Sequence, residues 1–243
     1  MADPSIREPP LVLVPVAVLE GQTIPEPLVE FLAPSDVVVL GYHVIPEQTP
    51  AEQASLQFED RAQDAVEDIA RVFREGEHDV ETRVAFTHDR DRTVERVASD
   101  VGATAVALPN PTGEIRDVLV PLRGFVDVDR LADLVATLLA ATDGRVTVWG
   151  LAAGGSDFDT RRAVDDAVAT LTERGLPADR ITGETSVVES PVRAIVERSG
   201  EFDAVVMGEG GESLFAALFG DEAERVAEGS VAPVLVVRKR LGE

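Results

Sequence analysis

Short, continuous apolar runs alternate with amphipathic stretches along the whole chain. Leu11 to Val16 is the first such run, Asp36 to Ile45 the second, Val80 to Phe86 the third and Ala103 to Leu108 the fourth. Runs of this length and β-branched content read as strands buried on both faces of a parallel sheet. The stretches between them carry helical periodicity. Pro27 to Leu32 is a short helix candidate. Ala51 to Glu75 places Leu56, Ala62, Val66, Ile69, Ala70 and Phe73 at helical spacing among acidic and amide residues, and Asp91 to Val101 is a third helix behind an acidic start. Strands alternating with helices imply right-handed βαβ crossovers and a parallel sheet with helices on both faces.

The pattern then begins again. Val118 to Leu122 repeats Val12 to Val16, and Asp129 to Ala141 supplies a helix. Arg145 to Gly150 echoes Val37 to Gly41, and Thr160 to Arg174 is a second amphipathic helix. A strand at Ile181 to Val187, a helix at Pro191 to Ser199 and a strand at Asp203 to Met207 follow, the last matching Thr104 to Leu108. Recurrence of element order as well as of apolar runs predicts two tandem doubly wound α/β units, residues 1–113 and 114–243, joined near Pro111 to Ile115. They are unequal. After Met207 the second unit continues through a glycine-rich loop from Gly208 to Gly220, a helix pattern from Asp221 to Glu228 and a final strand at Pro233 to Val237. After Leu108 the first runs through Pro109 to Gly113 directly into the next opening strand, so its loop, last helix and last strand are missing. An unpaired apolar last strand is an aggregation hazard. It is therefore expected to pair with another copy of itself in a homodimer, or with a strand of the first unit as an intramolecular pseudo-dimer.

Composition narrows the partners. The chain has 243 residues, 44% of them hydrophobic, with 45 acidic against 22 basic residues, a formal charge of -23 and Lys239 as its only lysine. Such a surface repels nucleic acid phosphates and anionic membranes. It suits a concentrated-salt cytoplasm, where screening relieves self-repulsion, and points to a halophilic archaeon as source. Cysteine is absent, which removes disulfides, thiolate catalysis and cysteine-held metals. No apolar run approaches the ~20 residues of a membrane-spanning helix, and Met1 to Pro10 lacks a signal-peptide core, so a cytoplasmic location is expected.

A glycine-rich loop between a strand and a helix N-terminus is the one feature built for chemistry, because its free N–H groups can cradle a phosphate. The opening strands ending in Val-Pro type pairs, His43-Val44 on the second strand, the strand Asp203 to Gly208 and the strand Pro233 to Val237 together resemble the universal stress proteins in a tandem arrangement. That resemblance implies an open sheet of about five strands per unit, a stress-response or regulatory role without turnover, and in some members ATP bound through a Gly-x2-Gly-x9-Gly-Ser/Thr loop and an aspartate after the first strand. Here Gly208 and Gly211 match the first part, only eight residues separate Gly211 from Gly220, and Asp221 stands at the hydroxyl position. The aspartate position holds Ala17 in the first unit and Arg123 in the second. Asp221 would itself accept the N–H groups of the helix start as an N-cap, and Glu209, Glu212 and Glu222 surround it. Arg123 is expected to reach Asp221 or Glu209 and plug the crevice with an internal ion pair.

The expected function is thus a non-catalytic universal stress protein with a degenerate nucleotide site formed by Gly208, Gly211, Gly220, Asp221 and Arg123, without bound ATP, magnesium or another metal. The alternatives are an ATP binder using the 208–221 loop, an enzyme of the nucleotide α-hydrolase type, and a regulator docking on a membrane transporter. Other motifs carry little. Gly208-x-Gly210-x-x-Ser213 lacks the third glycine of a dinucleotide fingerprint, and no lysine is placed for a Walker A loop. His43, His78 and His88 lack metal-ligand spacing, with His43 at the end of the second strand. Asp165-Asp166 and Glu59-Asp60 read as solvated faces, Trp149 and Phe158 as packing anchors, and Arg238 to Arg240 as a solvated basic tail.

Overall fold

A computed structural model describes residues 4–75, 80–124, 126–209 and 232–240. Its strands are β1 (Leu11–Ala17), β2 (Asp36–Val44), β3 (Val80–Thr87), β4 (Ala105–Leu108), β5 (Asp117–Leu122), β6 (Arg145–Ala153), β7 (Ile181–Val188), β8 (Ala204–Gly208) and β9 (Val234–Val237). The helices are α1 (Glu26–Leu32), α2 (Ala51–Glu75), α3 (Arg90–Asp100), α4 (Val128–Ala140), α5 (Thr160–Glu173) and α6 (Pro191–Ser199). Short 3-10 turns at Val18–Glu20 and Ala178–Arg180 were not foreseen from periodicity, which a single turn is too short to display. The pattern-based helix at Asp221 to Glu228 lies outside the described residues.

The strands form one nine-stranded sheet in the order β3-β2-β1-β4-β9-β8-β5-β6-β7. Every neighbouring pair is parallel except β4 with β9. No element stands between β4 and β5. One face packs Leu28 and Leu32 of α1, Val66 and Phe73 of α2, Leu131 and Leu138 of α4, and Val164 and Leu171 of α5 into a single continuous core. The other face packs Val94, Val97 and Ala98 of α3 and Ile195 of α6. Helices therefore cover both faces, and β1, β5 and β8 are buried as their unbroken apolar sequences require.

Recurring details sit at matching places in the two halves. A Cβ on Gly41 in β2 would lie 2.0 Å from Val66 Cγ2 of α2, and one on Gly150 in β6 would lie 2.8 Å from the Thr160 carbonyl oxygen of α5. The repeated glycine thus lets the long crossover helix press directly on its strand. At the start of the opening strands, the Thr104 hydroxyl accepts from the Leu11 N–H at 3.0 Å, as the Asp203 carboxylate does from the Asp117 N–H at 2.8 Å.

The last strand joins the halves within the chain. Val234 to Val237 pair antiparallel with Leu108 to Ala105 on one side and parallel with Val205 to Gly208 on the other. Both edges of β9 are occupied, and all four of its residues are buried. Of the two pairings foreseen for this strand, the one to the first half is present. The tail beyond it departs from the expectation of a solvated end at Arg238, whereas Lys239 and Arg240 are exposed. Arg238 is only 6% exposed. Its guanidinium donates to Glu95, to the Ser99 hydroxyl at 3.0 Å and to the Ala103 carbonyl at 3.4 Å, because β9 delivers it onto α3. Leu56, assigned to the buried stripe of α2 by its spacing, is 89% exposed. The apolar contacts of α2 instead run through Ala54, Ala62, Val66, Ala70 and Phe73.

The segment before β1 crosses to the second half. Ser5 N–H donates to the Arg174 carbonyl at 2.9 Å, and the N–H groups of Arg7 and Glu8 donate to the two oxygens of Asp133 at 3.1 and 3.0 Å. Asp133 is 1% exposed in the middle of α4 and also receives Arg174 Nε at 2.5 Å. A buried carboxylate is tolerable only when so many donors converge on it. Glu8 in turn accepts a two-pronged bond from Arg130, at 2.9 and 2.8 Å, and lies 3.5 Å from Arg240.

Leu235 is fully buried between both halves. Leu235→Ala should cost ~2–5 kcal/mol and lower a single cooperative transition in thermal or denaturant unfolding. Two separated transitions, with only one shifted, would contradict the joint sheet. Glu8 gives a pH dependence. The hydrogen bond from Arg130, opposed by burial and reinforced by the charges of Arg130 and Arg240, lowers its pKa below the ordinary 4.5. A carboxylate depressed by folding stabilises the native state above its unfolded pKa, and that contribution is lost as pH falls through the folded pKa. Glu8→Gln should therefore melt earlier than the parent at neutral pH, and the gap should close below the ordinary carboxylate range. Melting curves taken from neutral pH to about pH 3 check the sign.

Candidate functional site

In an open α/β sheet the crevice lies beyond the carboxyl ends of the strands where the winding direction reverses. In the second half that point falls between β5 and β8. Arg123 immediately follows β5, and Gly208 is the last residue of β8. Counting on from the register Val118↔Ala204 and Leu119↔Val205 brings Arg123 level with Glu209 on the neighbouring strand. The structure thus brings two of the expected site residues, Gly208 and Arg123, to one place. Gly211, Gly220 and Asp221 lie outside the described residues.

The foreseen Arg123–Glu209 ion pair does not form. Glu209 turns its carboxylate to the Lys239 N–H at 3.0 Å, while its own N–H donates to the Val237 carbonyl at 2.7 Å. Those two bonds tie the end of β8 to the end of β9. Arg123 is half-buried, its Nε is buried without a hydrogen-bond partner among the described residues, and burial lowers its pKa. A cation therefore stands where the resemblance puts an acid.

The space over Gly208 is taken by a side chain that the sequence reading did not single out. A Cβ on Gly208 would lie 2.3 Å from Val126 Cγ1 and 2.8 Å from Val126 Cγ2. No positive φ is needed here, so close approach is what demands the glycine. Val126 precedes Asp127, the N-cap of α4, whose carboxylate accepts the Arg130 N–H at 3.0 Å. An apolar residue directly before an N-cap aspartate was the signal available in the sequence. Asp127 also lies 3.4 Å from Arg240, which bridges it to Glu8. The described walls of the crevice are thus a half-buried arginine, a valine seated on the glycine, and carboxylates already engaged by the protein.

The first half has no equivalent. β1 ends at Ala17, whose N–H donates to the Gln22 side-chain oxygen at 2.9 Å, and β4 runs directly into the connection to β5. The remaining candidates take structural places. His43 packs edge-on against Phe58 and Phe86, with ring centroids 6.2 and 6.3 Å away. Trp149 donates from Nε1 to the Ser186 hydroxyl at 3.0 Å and carries the Arg198 guanidinium 4.5 Å above its ring. Phe158 packs against the larger core, and Asp165, Asp166, Glu59 and Asp60 are exposed. Among the described residues no cluster of His, Asp or Glu is arranged to hold a metal ion, and no helix is long and apolar enough to cross a membrane.

Fold and crevice together define a doubly wound α/β protein whose candidate site lies at the strand carboxyl ends of its second half. Residues 114–238, a little more than half the chain, match the Universal stress protein family, and the chain belongs to that family. A search of the curated proteins finds no match. Among solved structures the fold is similar to a universal stress protein from Archaeoglobus fulgidus DSM 4304, at 14% identity and a TM-score of 0.59, over 96% of this chain and 97% of that one. It is also similar to a putative universal stress protein from Pseudomonas aeruginosa UCBPP-PA14, at 15% identity and a TM-score of 0.48, over 96% and 94% of the two chains. A third is the cytoplasmic domain of a prokaryotic cation chloride cotransporter, at 13% identity and a TM-score of 0.47, over 93% and 94%. At 14% identity the likeness to the Archaeoglobus fulgidus protein speaks to fold alone. With the Archaeoglobus fulgidus protein it extends through the first half as well.

If Gly208 is required by Val126 rather than by a ligand, Gly208→Ala should destabilise the protein by ~1–3 kcal/mol through overpacking. Adding Val126→Ala should then restore most of the loss. Thermal unfolding of the two single variants and the double variant checks this, and additive losses would contradict the contact.

Proposed function

We propose that this chain is a non-catalytic universal stress protein made of two tandem units, residues 1–113 and 114–243, whose nucleotide site has become degenerate and which works through protein contacts. The observation that carries the reading is Val126 seated on Gly208, at the place where a phosphate-cradling loop would begin. Arg123 in place of an acid and the commitment of Glu209 to Lys239 support it. The recurrent strand order β3-β2-β1-β4 and β7-β6-β5-β8, with equivalent glycines at Gly41 and Gly150, supports the tandem description.

A protein of this kind presents a surface rather than turning over a substrate. One β9 serves as last strand for both units, which makes the chain an intramolecular pseudo-dimer in which that strand is not free to recruit a second copy. The charge of -23 suits a concentrated-salt cytoplasm and favours a partner that offers basic groups. Titration with ATP and magnesium at high salt, followed by calorimetry, tests the site. No binding in the micromolar range is expected. Micromolar affinity would overturn the degenerate reading in favour of an ATP-binding member that uses the 208–221 loop.

A further inference from the structure

The nine-stranded sheet is finished differently at its two ends. At one end the exposed positions of β3 are Glu81 and Arg83, which pair with each other. Charges on an edge strand keep other strands off it. At the other end the exposed positions of β7 are Thr182, Gly183, Thr185 and Val187, none of them charged, and Val187 is 76% exposed. Glu184, the one charged residue of β7, is half-buried and bonded to Arg198 of α6 at 2.6 Å. Among the described residues no strand lies against the outer side of β7. The flanking helices follow the same division. Residues 51–100, from α2 to α3, carry fourteen acids against seven bases, whereas residues 160–199, from α5 to α6, carry seven against six. A chain with a charge of -23 is thus nearly neutral around one edge of its sheet and strongly acidic around the other. Beside β7 lies a groove of about 220 Å³, walled by Arg161, Val164, Asp165 and Val168 of α5 with Gly183 and Thr185 of the strand. A Cβ on Gly183 would lie 2.9 Å from Val164 Cγ1, so the glycine lets α5 sit close to the edge strand. Arg162 pairs with Asp166 at 3.7 Å, while the exposed Arg161 and Asp165 are in no ion pair among the described residues.

We propose that β7 pairs antiparallel with β7 of a second copy across a two-fold axis at Thr185, joining two nine-stranded sheets into one. Like charge drives copies of so acidic a chain apart, so association needs a surface where that charge is nearly balanced, and the block from α5 to α6 is one. Concentrated salt screens the repulsion that remains. Pairing of β7 with β3 of another copy would set it against Glu81 and Arg83 and would build an open filament, whereas a two-fold closes at a dimer. Directly opposed residues of an antiparallel pair share a face, so the axis must pass at a residue position and not between two. The eight residues Ile181–Val188 overlap most fully about Glu184 or Thr185. An axis at Glu184 sets that carboxylate against its own copy, which disfavours the pairing. An axis at Thr185 sets threonine on threonine, Glu184 opposite Ser186, and Val187 opposite Gly183. The last pair seats the exposed valine of one copy over a residue without a Cβ, at the groove beside α5. The same axis brings the first turns of the two α5 helices side by side and antiparallel, so that Arg161 of each copy faces Asp165 of the other.

Sedimentation equilibrium of the full chain in concentrated salt tests the pairing, and a dimer is the expected result. A monomer at every concentration would overturn it. Val187→Lys places a charge on the open edge at a position exposed enough to leave the fold intact, which circular dichroism checks. Its dimer should dissociate at least roughly tenfold more readily than the parent's. An unchanged dissociation constant would move the interface away from β7. A second variant reads the register. The chain has no cysteine, so Thr185→Cys introduces a single thiol. Opposed residues of an antiparallel pair have Cα atoms about 4.5–5.5 Å apart, within reach of a disulfide. Mild oxidation removes one hydrogen from each of the two thiols, with the oxidant taking up both electrons, and should link the copies through this position. Leu56→Cys, at an 89% exposed site on α2, should remain largely unlinked under the same conditions. Equal linking of the two variants, or none at position 185 in a sample that sediments as a dimer, would overturn the axis at Thr185.

Discussion

Everything in this protein hangs on four residues near its end. Val234 to Val237 have a strand of each half hydrogen-bonded at either edge and a helix-covered core on both faces. Without them β4 and β8 would each present an apolar edge, the configuration that natural sheets avoid by covering, charging or closing. The antiparallel junction at β4 also reverses the strand direction once, so the carboxyl ends of β1 to β4 and those of β5 to β9 point to opposite ends of the sheet. Arg238, driven by β9 onto α3, and Arg240, paired with Glu8 and Asp127, carry the same constraint from the backbone into side chains of both halves.

Electrostatics follows a different logic inside than outside. The surface carries many unneutralised acids, and pairs such as Arg193–Glu197 and Arg162–Asp166 are exposed and contribute little. The scarce cations that matter are those brought to the seam between the halves. Arg174, 3% exposed, holds Asp133 and Asp129, and Arg130 holds Glu8. A chain with two acids for every base has placed several of its few arginines where a carboxylate must be buried or where the chain ends must be gathered.

Most of the fold was legible because strands buried on both faces announce themselves as unbroken apolar runs, and because the order of elements repeats. Leu56 shows the limit of periodicity: the helix was right, but Leu56 stands on its solvent side while Ala54, two residues earlier, is buried. Arg238, the first residue of the basic tail, was misread for a related reason. Whether Arg238 meets solvent depends on which strand lies beside β9, and that is a tertiary fact. In the site, glycine and charge reversal could be read directly, whereas Val126 could not, since its role depends on the loop after β5 folding over β8. The clamp around Glu8 was equally hidden, its partners being more than a hundred residues away in sequence.

The central position of β9 also sets the order in which the molecule can be made. Ala105 meets its partner only when Val237 exists, so the first half emerges during synthesis with β4 uncovered and must wait for nearly the whole remaining chain. Contacts so distant in sequence are slow to form, and an open apolar edge is exposed for that time. A crowded surface of negative charge, which keeps nascent copies apart, is then as much a guardian of assembly as an adaptation of the finished protein.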